Sequence, residues 1–349
     1  MSRIKTLRVQ ELDALRLLAA LSVVGFHYGI NFHFWPSAEG ALKYGFLGVE
    51  LFFMISGFVI LQTATRKSAY EFMCSRFARL YPTFWCVLLL TWPMRGGGTP
   101  IQALANATMA ARLLHQPVFD PVYWTLVIEL KFYILILALI SLRQIQRIEL
   151  WLIAWLGACV ASLVTGHFRA LTFDLYAPYF TAGCVLYLIY VQGLTLTRAL
   201  TISACLVLAF TDAKIVADKY DGIVVSYVTV KLIVSALFVV FLSVAMRWIK
   251  LPNWKVWSSL GLLTYPIYLV HSVPGFTVWS WLPKTMSPQL RTLCVCAFVF
   301  SVSGLLAATI ERKGCSMLYS ALVRIPDRII AWIRGPVAPP TQKAPLVEP

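Results

Sequence analysis

Long apolar stretches follow one another from one end of this chain to the other, and they leave it few ways to fold. They fall at 12–31, 44–63, 79–94, 123–142, 150–166, 175–192, 196–212, 226–247, 258–281 and 290–310. A helix needs about 20 mostly apolar residues to cross a bilayer. Inside hydrocarbon the backbone N–H and C=O groups must be satisfied within the segment, which helices do. Only 13% of the 349 residues are charged, against 59% hydrophobic, whereas a soluble domain carries about 25% charged residues. The expected fold class is all-α: a polytopic transmembrane helical bundle of about ten spans, embedded in a lipid bilayer.

Charge indicates how such a bundle is threaded. With the N-terminus inside, nineteen lysines and arginines lie on the cytoplasmic side and eight on the opposite side. Cytoplasmic loops are the ones that carry excess cations, so both ends are expected in the cytoplasm. The formal charge of +15 then reads as an orientation signal. Nucleic acid is excluded as a partner, because there is no soluble basic domain to hold it. Three parts follow: a cytoplasmic N-terminal segment 1–11, a transmembrane domain 12–310, and a basic, proline-rich cytoplasmic tail 311–349, expected to be disordered towards its end. The one long loop, 95–122, has alanines and leucines at helical spacing over 101–114, as in a helix lying along the outer interface. The eight cysteines lack metal-ligand spacing, and no metal is expected. No internal repeat is visible, which weighs against transporter folds built from repeats.

Polar residues inside apolar windows mark where chemistry is expected. Arg16 and His27 share the first window, eleven residues apart. At about 100° and 1.5 Å per residue, they lie within about 20° of one face and roughly 16 Å apart along the axis. The bland alternative has Arg16 snorkelling to the interface and His27 packed in a polar core. Glu50 lies early in the second window, with Ser56 and Gly57 at a close helix contact; it sits either against a polar partner or at the outer interface. Arg76 and Arg79, three apart, share a helix face. They suit phosphate oxygens, or serve only as topology signals. Glu129 follows the interfacial Trp124 by five residues and must be paired, protonated or wet, while Lys131 faces elsewhere and Tyr133 lies one turn on. Tyr265, Tyr268 and His271 are spaced to line a cavity, although a lone histidine is more often a satisfied core residue. Asp13, beside Arg16, completes the set of candidate cavity residues.

Taken in order, these clusters resemble the acyltransferase 3 family of integral-membrane O-acyltransferases acting on cell-surface glycans. The first span is similar to LDxLRxxAAxxVxxxH from Leu12 to His27. The second corresponds to Gly48–Ile60, and the paired arginines Arg76 and Arg79 precede Tyr81-Pro82. W-[ST]-L-x-x-E-x-x-F-Y lies at Trp124–Tyr133, and S/T-Y-x-x-Y-L-x-H at Thr264–His271. Ala14 and Leu17 stand where many members have glycine, and Leu130 where many have a second acid. The resemblance implies a multi-pass protein of the bacterial inner (cytoplasmic) membrane. It implies transfer of an acyl group, commonly acetyl, from cytoplasmic acyl-CoA to a hydroxyl of a sugar in a polysaccharide, lipid-linked glycan or related acceptor. Acyl-CoA is a co-substrate here, with no permanently bound cofactor. On this reading His27 is the general base with Glu129 supporting it, and Arg16, Arg76 and Arg79 bind the donor. The alternative is a transporter or flippase for a glycolipid or anion, since buried Arg, His and Glu also line ion pathways.

Overall fold

The computed structural model describes residues 9–326 other than 174, 219–222 and 253; segment 1–8 and the proline-rich end of the tail lie outside the described residues. Among these, regular structure is helical throughout. The longer helices are α1 (Gln10–Phe32), α2 (Gly48–Ala64), α3 (Ala69–Met94), α4 (Pro100–Ala107), α5 (Trp124–Ser141), α6 (Ile148–Thr165), α7 (Ala177–Gln192), α8 (Leu196–Asp218), α9 (Tyr227–Ala245), α10 (Lys255–Val270), α11 (Val273–Trp281), α12 (Pro288–Leu306) and α13 (Cys315–Val323). A π-helical segment, Ala307–Gly314, joins α12 to α13 without a break.

Six stretches among the described residues are long and apolar enough to cross a membrane: Gln10–Phe32, Gly45–Ala64, Pro121–Ser141, Ile145–Thr165, Tyr227–Ala245 and Pro288–Val323. The remaining apolar windows fall on helices that are shorter, more polar or interrupted. α7 has only 16 residues. α3 has 26 but carries Glu71, Arg76 and Arg79. The window 258–281 is cut in two at His271-Ser272, between α10 and α11. The loop helix α4 is shorter than its pattern predicts and is followed by a 3₁₀ turn, Ala111–Leu114. Ile101, Leu104, Leu113 and Leu114 remain exposed there, the face an interfacial helix gives to lipid.

Local chemistry explains several boundaries. Ser68 and Glu71 form a reciprocal capping box at the start of α3. The two N–H and O–H donors of Ser68 hold the Glu71 carboxyl below its usual range. Thr99 and Gln102 do the same for α4, with Pro100 at its first position, where the missing N–H costs nothing. α6 ends at Gly166 in the left-handed region, φ 72°.

Packing centres on α1, α2, α7 and α10. α2 and α7 cross at their backbones. A Cβ on Gly57 would stand 2.2 Å from the Phe180 carbonyl oxygen, and one on Gly183 would stand 1.9 Å from that of Met54. This is the close helix contact expected from Ser56-Gly57, built as membrane helices build it, from small residues. α1 runs parallel to α10 and α11. Asp13 lies against Gly261, the Tyr28 hydroxyl donates to the His271 carbonyl at 2.8 Å, and Phe32 stacks on Trp279 at 3.8 Å. The break between α10 and α11 is secured from outside. Asp120 is completely buried and accepts from Val122 N–H (3.1 Å) and Val273 N–H (3.0 Å), supplying an acceptor for a backbone donor that the broken helix no longer serves.

Candidate active site

Five helices enclose a cavity of about 200 Å³. α1 contributes Arg16, α2 Phe52 and Ser56, α3 Arg76 and Arg79, α5 Thr125, Glu129 and Tyr133, and α10 Tyr265 and Tyr268. Three cations, a carboxylate and three tyrosines from distant parts of the chain therefore share one space inside the bundle. In low dielectric such charges are costly unless matched, and the matching is specific. Arg16 Nη1 is 3.5 Å from Asp13 Oδ1, one turn earlier on the same helix. Glu129 Oε1 accepts from Ser56 Oγ at 3.1 Å and from the Tyr133 hydroxyl at 2.8 Å, and lies within electrostatic reach of Arg16. Arg76 donates to Thr63 Oγ1 (3.2 Å) and Ser75 Oγ (3.3 Å), and its guanidinium faces the rings of Phe72 and Tyr133. Arg79 is ion-paired with Glu311 and lies 5.3 Å from the Tyr265 ring centre.

The two histidines form a separate group. His27 is half-buried, and its ring centre is 5.2 Å from that of His271. His271 is fully buried. Its Nδ1 is 2.7 Å from the Tyr268 carbonyl oxygen; since a carbonyl only accepts, Nδ1 carries the proton and Nε2 has the free lone pair. That Nε2 is buried with no hydrogen-bond partner. Tyr268 borders both groups. It lines the cavity, its hydroxyl is 2.8 Å from Thr125 Oγ1, and its ring centre is 5.6 Å from that of His271.

A family described as an acyltransferase domain matches residues 9–308. The chain belongs to this family, acyltransferase 3. Over 337 residues it is 26% identical to a Komagataeibacter xylinus protein, BcsY, which carries the provisional description of membrane-bound transacylase; the match covers 88% of this chain and 83% of that one. Over 86 residues it is 34% identical to a protein of Shigella phage Sf6 named O-acetyl transferase, covering 24% of this chain and 26% of that one. No solved structure matches it significantly. The protein is thus a multi-pass membrane enzyme that transfers acyl groups other than amino-acyl groups.

Several residues of this acyltransferase stand differently from the sequence expectation. Glu129 takes its hydrogen bonds from Ser56 and Tyr133 rather than from His27, whose ring neighbour is His271. Five expected cavity or stripe residues lie off the cavity wall. His27 and His271 sit beyond Tyr268. Asp13 is buried between Arg16 and Gly261, and Glu50 is buried in the first turn of α2. Trp124 points from α5 into a second cavity of about 300 Å³, which Lys131 also lines. Residues 124 and 131 are close to two helical turns apart, so they share a face, and it is not the face of Glu129. Sequence reasoning missed Thr125, Asp120 and Glu311. Thr125 stood inside a recognised motif. Asp120 had no signal beyond an acid before a proline. Glu311 follows directly on the last apolar window, where the pattern predicts the start of the tail; instead the helix continues through it, and it is buried.

Proposed function

We propose that this enzyme acylates a sugar hydroxyl, most simply by acetyl transfer from cytoplasmic acyl-CoA, in a ten-span arrangement with both ends in the cytoplasm of a bacterial inner membrane. The observation that carries the proposal is the cavity in which Arg16, Arg76, Arg79 and Glu129 converge, because guanidinium groups in a desolvated space suit the phosphates of such a donor. The parallel course of α1 and α10–α11 agrees with an odd number of crossings between them, as ten spans require. Aliphatic and aromatic walls at Phe52, Leu126 and Tyr268 suit the pantetheine arm, which runs from the arginines towards the histidines. His27 then acts as general base. The acceptor oxygen attacks the thioester carbonyl carbon while its proton passes to the His27 imidazole. The carbon–sulfur bond breaks, and the departing thiolate takes that proton from the imidazolium. Tyr268 and His271 position the imidazole, and Glu129 balances the arginine cluster. The acceptor is a sugar in a polysaccharide, lipid-linked glycan or related molecule.

The test is thiol release from acetyl-CoA in membranes containing the protein, with and without added glycan acceptor, together with mass spectrometry of surface glycans from a deletion strain. Acceptor-dependent thiol release and a missing acyl mass support the reading. Glycan translocation without thioester consumption would replace it with a transporter.

A further inference from the structure

The three arginines of the cavity look alike in sequence, but their charges are matched unequally. Arg16 has Asp13 on its own helix. Arg79 has Glu311, and the other Glu311 oxygen accepts from Thr83 Oγ1 at 2.7 Å. Arg76 gives its hydrogen bonds to two hydroxyls, and its Nε is buried without a partner. Glu311 lies outside the recognised motifs and outside the matched family region, which ends at 308. It sits in the π-helical segment, and π turns inserted into α-helices are frequent at functional sites. Widening the helix there turns Glu311 inward while Arg312 and Lys313 remain exposed. α13 beyond it is fixed to α3 by a hydrogen bond from the Tyr70 hydroxyl to the Leu322 carbonyl, 2.8 Å, and to the turn before α3 by Lys67 over the Tyr319 ring.

We propose that Glu311 is a positioning residue for the donor site. It neutralises Arg79 and holds it against Tyr265 as part of the wall, so that Arg76 is the arginine left to take an anionic group of the donor. This rests on the reading that the cavity binds acyl-CoA. Arg76 and Arg79 are then not an equivalent pair, and the charge at position 311 decides where the donor's phosphates settle.

The variants Glu311→Gln, Arg79→Gln, Arg76→Gln and the double variant Arg79→Gln/Glu311→Gln separate the possibilities. Labelled acetyl-CoA binding to full-length purified protein gives Kd, and thiol release in native membranes gives kcat. Glu311→Gln frees a second cation, so it should tighten acetyl-CoA binding several-fold while lowering kcat by about tenfold, because the donor is held out of register. Arg79→Gln leaves the Glu311 carboxylate without its cation behind the cavity wall and should weaken binding by about tenfold or more. The double variant removes both charges and should return Kd to within about threefold of the parent. It also decides the matter if a single variant fails to accumulate. Loss of folded protein with Kd unchanged would reduce Glu311 to a structural pair. A double variant binding as weakly as Arg79→Gln would make Arg79 itself a phosphate ligand and overturn the assignment. If Arg76→Gln leaves acetyl-CoA affinity unchanged, the donor-site reading fails, and this inference fails with it.

Discussion

The crossing of α2 and α7 offers a quantitative test of how the scaffold holds the site. In Gly183→Ala the new methyl carbon would lie 1.9 Å from the Met54 carbonyl oxygen, 2.8 Å from its carbon and 2.9 Å from Phe58 N. These are backbone atoms of a rigid helix and cannot rotate away. Restoring ordinary contact needs the helices to part by about 1.5 Å, in an interior packed as densely as an organic crystal. Overpacking of this kind costs about 1–3 kcal/mol, and backbone clashes belong at the upper end, giving a fall of roughly 5 °C or more in Tm. The damage should reach the chemistry. Ser56 neighbours Gly57 on α2, and its 3.1 Å bond to Glu129 does not survive an opening of that size. Gly157→Ala is the control: nothing lies within 4 Å of the added methyl, so the same substitution should be neutral or stabilise by about 0.5–1 kcal/mol through helix propensity. Fluorescence-monitored melting in detergent, paired with thiol release from acetyl-CoA, reads both effects. A Gly183→Ala variant that melts and turns over like the parent would refute the packing argument.

Further outcomes follow from the same geometry. His27→Ala should lower turnover by about 10²–10⁴-fold while acetyl-CoA binding is kept, and parent turnover should fall at low pH as the imidazole protonates; near-normal thiol release from the variant would move the base to His271. Asp120→Ala leaves the Val122 and Val273 N–H groups without their acceptor, at about 1–3 kcal/mol for each buried donor, and should lower both Tm and turnover; unchanged melting would show that the α10–α11 break is held by other contacts. Reporter fusions placed after residue 330 should be active only in the cytoplasm, and a periplasmic signal would reverse the orientation.

What the sequence disclosed follows from how each signal is written. Apolar runs and capping residues are local, so helices such as α1 and α5 appear in the pattern close to where they occur. Arg16 and Glu129 stand out within those runs, because charge in hydrocarbon is rare enough to mark a site, and Arg76 and Arg79 stand out as a pair on one helix face; all four line the cavity. Pairing is not local. Nothing in the one-dimensional pattern says that Glu129 meets Ser56 and Tyr133, or that His27 meets a histidine 244 residues later. Helical spacing put Arg16 and His27 on one stripe of α1, but only Arg16 lines the cavity, and the spacing did not show that Tyr268 lies beside the path. The end of the last helix was misplaced for a related reason. Hydropathy drops at Glu311-Arg312-Lys313, while the helix continues into α13 and turns the acid inward.

The two ion pairs also differ in when they can form. Asp13 and Arg16 leave the ribosome together, so the first helix reaches the membrane with its cation already accompanied. Arg79 is made 232 residues before Glu311, a delay of roughly 10–50 s at about 5–20 residues per second. Throughout that interval α3 holds a guanidinium whose carboxylate does not yet exist, on a helix too polar to count among the six apolar spans. Its final seating must therefore come late, when the last helix arrives with Glu311. A chain truncated before residue 311 would keep every helix that lines the cavity and still lack the charge that lets one of them settle.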